Sequence, residues 1–157
     1  MQEKRRFDVA VVGGGPAGLY AAWASAKRGV SVVVLEEDGE IGVPEHCAGL
    51  ISISGLKRIG LPTNASYVLN KVKGAWFFSP RGTAFRVVSD DAKAVVVDRV
   101  AFDKYLAKRA EEAGAEVWLK QRVKSLKLLE DSAFLKTGEG EVGAKVVIDA
   151  EGASRRL

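Results

Sequence analysis

The chain has 157 residues, 47% of them hydrophobic and 28% charged, with 24 Lys and Arg against 20 Asp and Glu. That is the balance of one ordinary globular domain with a sizeable core, and it excludes a disordered chain or two large domains. The positive excess is scattered, in one basic triplet, Lys4-Arg5-Arg6, and in pairs such as Arg155-Arg156 near the end, so no nucleic-acid partner is expected.

In chain order, residues 7–12 (FDVAVV) form a short valine-rich run that predicts a buried strand. Gly13-Gly14-Gly15-Pro16-Ala17-Gly18 breaks it, residues 19–28 (LYAAWASAKR) favour a helix, and Gly29 stops it. Residues 31–35 (SVVVL) predict a second buried strand ending at Glu36-Glu37. Strand, helix and strand within about 30 residues predict a βαβ unit with parallel strands. Residues 38–49 read as a loop, and residues 51–59 as a short helix stopped by Gly60 and Pro62. Residues 75–79 and 83–88 flank Pro80-Arg81-Gly82 and predict a hairpin, and residues 94–97 predict another strand. Residues 100–113 have helical spacing of apolar side chains behind Asp98 and Arg99, with Gly114 as the stop. A strand at 116–119, a hairpin of 123–129 with 133–137, and a buried strand within 141–150 complete the chain.

Gly13, Gly15 and Gly18 match a G-x-G-x-x-G fingerprint between a strand and a helix. Gly13 permits the tight turn, Gly15 removes a side chain from the path of a pyrophosphate, and Gly18 lets the helix pack close to the sheet. Amides near Ala17 and Gly18 point out of the helix N-terminus, where the dipole favours anions, and Pro16 suits the first helical turn. Glu36, at the end of the second strand, can accept hydrogen bonds from ribose hydroxyls and would repel a 2′-phosphate. The βαβ unit does not by itself separate FAD from NAD.

Three later features do so by resemblance: the long loop after the second strand, Arg99 at the head of the long helix, and Val147-Ile148-Asp149-Ala150-Glu151-Gly152-Ala153-Ser154. Together they resemble the flavoprotein group related to p-hydroxybenzoate hydroxylase. In that group an arginine at the helix start lies near the FAD pyrophosphate, and a later Asp-Gly motif closes over the cofactor and NAD(P)H region. Gly42-Val43-Pro44-Glu45-His46-Cys47-Ala48-Gly49-Leu50-Ile51 narrows the resemblance to the geranylgeranyl reductase family, particularly its archaeal members. The hairpin containing Phe77-Phe78-Ser79-Pro80-Arg81-Gly82 is also similar. The chain departs from the family pattern in carrying Glu151 where the motif has Asp. Complete members also continue far beyond this length, with a later Gly-Asp motif and a substrate-binding region.

The resemblance implies an α/β fold: a Rossmann-like FAD-binding domain over residues 1–157, a parallel sheet with an antiparallel hairpin or meander, and a hairpin-and-strand insertion at 74–98. It implies a chain truncated before its substrate domain. It implies FAD held by Gly13, Gly15, Pro16, Ala17, Gly18, Glu36, Glu37, Arg99 and the backbone of Val123, with Glu151 and Gly152 closing the site. His46, Cys47, Ala48 and Gly49 would border the reacting ring, with Cys47 and His46 as catalytic candidates. Against those roles stand a buried structural cysteine and a satisfied loop histidine. One histidine and one cysteine make no metal site. Trp23, Trp76 and Trp118 are expected to be packing residues.

The activity implied is saturation of isoprenoid double bonds of membrane lipids, with NAD(P)H or another reductant as electron donor. The alternatives are a monooxygenase or dehydrogenase of the same superfamily on small aromatic substrates, and a non-catalytic nucleotide-binding fragment. The expected partner is an isoprenoid or other small apolar molecule. A single cysteine, no signal peptide and no apolar run of about 20 residues give a cytoplasmic expectation, with peripheral membrane contact left open.

Overall fold

The computed structural model describes residues 5–45 and 47–153. The chain divides into two compact units, one formed by the residues up to Pro44 with those from Asp103 onward, the other by Glu45–Phe102.

The first unit is built on a six-stranded sheet. β1 (Arg5–Val12), α1 (Pro16–Ala26) and β2 (Val32–Leu35) form the expected βαβ unit. The sheet order is β8-β2-β1-β11-β10-β9, where β8 is Glu116–Trp118, β9 is Ser125–Leu128, β10 is Ala133–Lys136 and β11 is Glu141–Asp149. β8, β2, β1 and β11 run parallel, while β10 and β9 add antiparallel. All four residues of β2 are buried, as an unbroken valine run in a covered parallel strand requires. α1 buries Leu19, Ala22 and Ala26. It begins at the turn itself, because Pro16 occupies a first-turn position where its missing N–H costs nothing. It ends at Ala26, just before Gly29, whose φ of 82° is a left-handed conformation suited to glycine. The chain leaves β1 towards β2 on one side, and β11 docks on the other. The carboxyl end of β1 is therefore a topological switch point, where α/β sheets open a crevice.

An ionic cluster crosses this sheet. Asp8 accepts hydrogen bonds from Lys145 Nζ at 2.7 Å, Ser31 N at 2.9 Å and Ser31 Oγ at 2.8 Å. The Lys145 ammonium and the Ser31 donors hold the Asp8 carboxyl well below the usual carboxylate range. A depressed folded value contributes stability that is present above the unfolded value and is lost as pH falls through the folded one. Asp8→Asn is therefore expected to melt below the wild type at pH 7, with the gap narrowing as pH drops below about 4. Thermal melts between neutral and strongly acidic pH check this, and a gap that stays constant with pH refutes it.

The second unit holds β3 (Leu50–Ser52), α2 (Ile53–Arg58), β4 (Val68–Val72), β5 (Gly74–Phe78), β6 (Ala84–Val88) and β7 (Ala94–Val97). β3, β7 and β4 form an antiparallel sheet with β7 central, and β5 and β6 form a separate two-stranded sheet. Tyr67 is fully buried, with its ring edge-on to Phe102 at 5.0 Å and its hydroxyl donating to the Pro62 carbonyl. The expected helix from residue 51 starts at Ile53, because Leu50–Ser52 pairs with β7 and Ser52 Oγ caps the helix at Gly55 N. β4 was not expected: its sequence, VLNKV, is half polar and carries an irregular register at Val68/Asn70. Its role as a strand comes from the free edge of β7. The expected 75–79/83–88 hairpin is present. Trp23 and Trp118 pack as expected, but Trp76 is 59% exposed. It stacks on Phe78 and under Arg86 along the hairpin instead of entering a core.

α3 (Arg99–Glu112) crosses the division between the units, and Asp98 Oδ1 accepts from Ala101 N at 2.8 Å in its first turn. No helix among the described residues is long and apolar enough to cross a membrane.

Candidate nucleotide-binding site

At the carboxyl end of β1 the chain turns through Gly13, whose φ is 106°. A Cβ there would lie 2.5 Å from the Ala150 carbonyl oxygen, so the turn and the segment after β11 pack backbone to backbone. Two main-chain bonds fix them: Gly13 N donates to Leu35 O at 2.9 Å, and Ala150 N donates to Val12 O at 2.8 Å. Glu151 is thereby brought beside the glycine turn, its N 3.3 Å from the Gly13 Cβ position, and Glu151 N donates to Asp149 Oδ1 at 3.1 Å; Gly152 follows it at a φ of 72°.

The remaining glycines divide by task. A Cβ on Gly18 would stand 2.0 Å from Gly13 O and 3.1 Å from Val11 Cγ1, so this glycine brings α1 against β1. Around a Cβ on Gly15 there is no heavy atom within 4 Å beyond its chain neighbours. Gly15 is also the N-cap of α1, with an extended backbone and no side-chain cap, and the first helical bond runs from Leu19 N to Gly15 O at 2.9 Å. The amides of Ala17 and Gly18 precede that bond at the positive end of the helix. An open approach to amide donors at a helix N-terminus is what a diphosphate requires.

Glu36 reaches back to this turn. Its Oε2 accepts from Gly14 N at 2.5 Å and its Oε1 from Asp38 N at 2.8 Å. The carboxylate is half-buried and aimed at the turn, and its further lone pairs remain available for hydroxyl donors. Gly14 has a task that the three-glycine pattern does not reveal. It is buried, and a Cβ there would meet Glu36 Oε2 at 2.8 Å and Ile41 Cδ1 at 2.9 Å. The signal available in the sequence was the unbroken Gly13-Gly14-Gly15 run. Glu37 forms an ion pair with Arg122 at 3.3 Å. Val123 follows β8 and is buried in a hydrophobic core cluster, and Gln121, two residues earlier, donates its N–H to Glu36 O at 2.7 Å. Gly13, Gly15, Pro16, Ala17, Gly18, Glu36, Glu37, Val123, Glu151 and Gly152 all belong to the first unit.

The other candidates lie in the second unit. Arg99 heads α3 and is half-buried. Cys47 and Ala48 are exposed. Gly49, with φ of 71°, lies tight on β7, where a Cβ would meet Val97 O at 2.2 Å. His46 lies outside the described residues. No group of His, Cys, Asp and Glu able to hold a metal ion occurs among the described residues.

The model of the family described as FAD dependent oxidoreductase matches residues 8–154, nearly the whole chain. The chain belongs to the FAD dependent oxidoreductase family. Among relatives of this oxidoreductase chain, digeranylgeranylglycerophospholipid reductase 2 of Methanopyrus kandleri is 41% identical over 156 residues, covering 96% of this chain and 39% of that protein. The digeranylgeranylglycerophospholipid reductase of Methanocaldococcus jannaschii is 45% identical over 114 residues, covering 73% of this chain and 29% of that protein. The crystal structure of a geranylgeranyl bacteriochlorophyll reductase-like protein from Thermoplasma acidophilum superposes with a TM-score of 0.85 at 31% identity, over 96% of this chain and 40% of that one. The chain thus spans about two fifths of the length of the first of these relatives (39%). The expected Rossmann-like α/β fold and the resemblance to the geranylgeranyl reductases hold.

Proposed function

We propose that the glycine turn holds the diphosphate of FAD, and that the whole protein is a reductase that saturates isoprenoid double bonds of membrane lipids. The observation that carries the first part is Gly15: at the N-cap of α1, no heavy atom beyond its chain neighbours lies within 4 Å of its Cβ position, and the Glu36 carboxylate is bonded to the same turn. Amides of Gly15, Ala17 and Gly18 would meet the diphosphate charge, because the helix dipole adds to their partial charges. Glu36, oriented by Gly14 and Asp38, would accept from the adenosine ribose, and the backbone of Val123 would face the base. Arg99, Glu151 and Gly152 would complete the cofactor contacts. Cys47, His46, Ala48 and Gly49 would border the reacting ring, as the family resemblance implies.

Bound FAD supplies the hydride equivalents for reduction of an alkene. The protein's part is to bind it, orient it and set its electrostatic surroundings. NAD(P)H is the proposed electron donor, and the proposed substrate class, isoprenoid lipid, follows the names of the reductase relatives. Such a substrate makes peripheral contact with a membrane surface part of the same proposal.

The test is spectroscopic. The purified chain, mixed with FAD and freed of excess by gel filtration, is expected to retain flavin absorbance, and ADP is expected to displace it. A folded chain, shown by circular dichroism, that retains no flavin and binds no ADP refutes the diphosphate assignment. Consumption of NAD(P)H with a geranylgeranylated lipid by the whole protein tests the substrate class separately.

A further inference from the structure

We infer that Arg122 is the side chain that packs against the adenine ring, with Glu37 as the positioning residue that holds its guanidinium in place. This rests on the proposed diphosphate and ribose contacts and extends them to the base.

The main chain after β8 is clamped to the end of β2. Glu36 N donates to Trp118 O at 2.9 Å, Lys120 N to Asp38 O at 2.9 Å, and Gln121 N to Glu36 O at 2.7 Å. Arg122 therefore stands one residue from an amide bonded to the main chain of the ribose-binding Glu36. A base joined to a ribose held by Glu36 would be within reach of this junction. The side chains available there are few. Gln121 is buried, and its amide donates to Glu139 Oε2 at 2.6 Å. Val123 is in the core. Lys120, at a φ of 59°, lies along Gly39, with Cε 3.2 Å from the glycine's Cβ position. Arg122 offers a planar group. Its Nε lies 3.3 Å from Glu37 Oε2, and 56% of the side chain is exposed.

A guanidinium paired with one carboxylate is suited to stacking on a neutral purine, because it is planar and its charge is already balanced. Three consecutive acids, Glu36-Glu37-Asp38, line the end of β2, so this cation also offsets negative charge beside the nucleotide. The two residues divide the work: Arg122 touches the base, and Glu37 acts through Arg122 instead of contacting the ligand.

The experiment is calorimetric titration of the purified chain with ADP and with ribose 5-diphosphate, which lacks the base. Arg122→Ala is expected to weaken ADP about 10-fold while leaving ribose 5-diphosphate within about twofold. Arg122→Lys, which keeps charge but has no plane, is expected to behave like the alanine variant. Glu37→Gln is expected to lose a smaller, base-dependent part of the affinity. If Arg122→Ala leaves ADP binding unchanged, or weakens both ligands alike, the stacking assignment is overturned while the diphosphate site stands. If the unaltered chain binds neither ligand, the diphosphate reading and this inference fall together.

Discussion

Gly18→Ala is expected to destabilise the chain by roughly 3 kcal/mol, read as a lowered midpoint in urea unfolding. Helix propensity alone argues the other way, since alanine is favoured over glycine by about 1 kcal/mol inside a helix. The packing decides the sign. The added Cβ would fall 2.0 Å from the carbonyl oxygen of Gly13 and 3.1 Å from Val11 Cγ1. The first obstacle is backbone, and it belongs to a turn already held by the Gly13–Leu35 hydrogen bond and packed against Ala150. Neither α1 nor β1 can give way without opening the centre of the six-stranded sheet, where Val11 is fully buried. An alanine variant as stable as the parent would show that helix and strand are not in this contact.

Gly15→Val is expected to give the opposite pattern: little loss of stability and a loss of ADP affinity of about 100-fold, or roughly 2.7 kcal/mol. At this position φ is −76° and ψ is 177°, an extended conformation that valine adopts readily. No heavy atom beyond the chain neighbours lies within 4 Å of the new Cβ. The fold therefore loses only the preference of the N-cap for small or polar residues, about 1 kcal/mol. The ligand loses more, because the methyl groups fill the space through which a diphosphate reaches the amides of α1. Circular dichroism and ADP titration on the same sample separate the two effects. Unchanged ADP affinity would mean that the diphosphate lies elsewhere, and equal losses of stability and affinity would mean that Gly15 serves the fold. Taken together, the two glycines distinguish a packing role from a binding role within one six-residue turn.

The amino-acid sequence alone determined the local grammar of this protein. Valine runs became the buried strands β1 and β2, the Gly-Pro-Ala-Gly break became the entry to α1, and Gly29 and Gly114 ended helices at positive φ. These outcomes depend on neighbours within a few residues, so periodicity and turn chemistry are enough to read them. The glycine turn and Glu36 were legible as separate candidates for the same reason.

Only the tertiary structure decided which distant segments share an edge. It put β11 beside β1, which brings Ala150 onto Gly13 and sets Glu151 next to the turn. It made strands of Leu50–Ser52 and Val68–Val72, whose own sequences are weak, because β7 has two edges to satisfy. It buried Gly14 under the Glu36 carboxylate, left Trp76 exposed on its hairpin, and paired Glu37 with Arg122. Strand neighbours and cross-chain ion pairs are chosen by the packing of surfaces far apart in sequence. A short segment carries its own backbone preference but no record of the partner that will cover it.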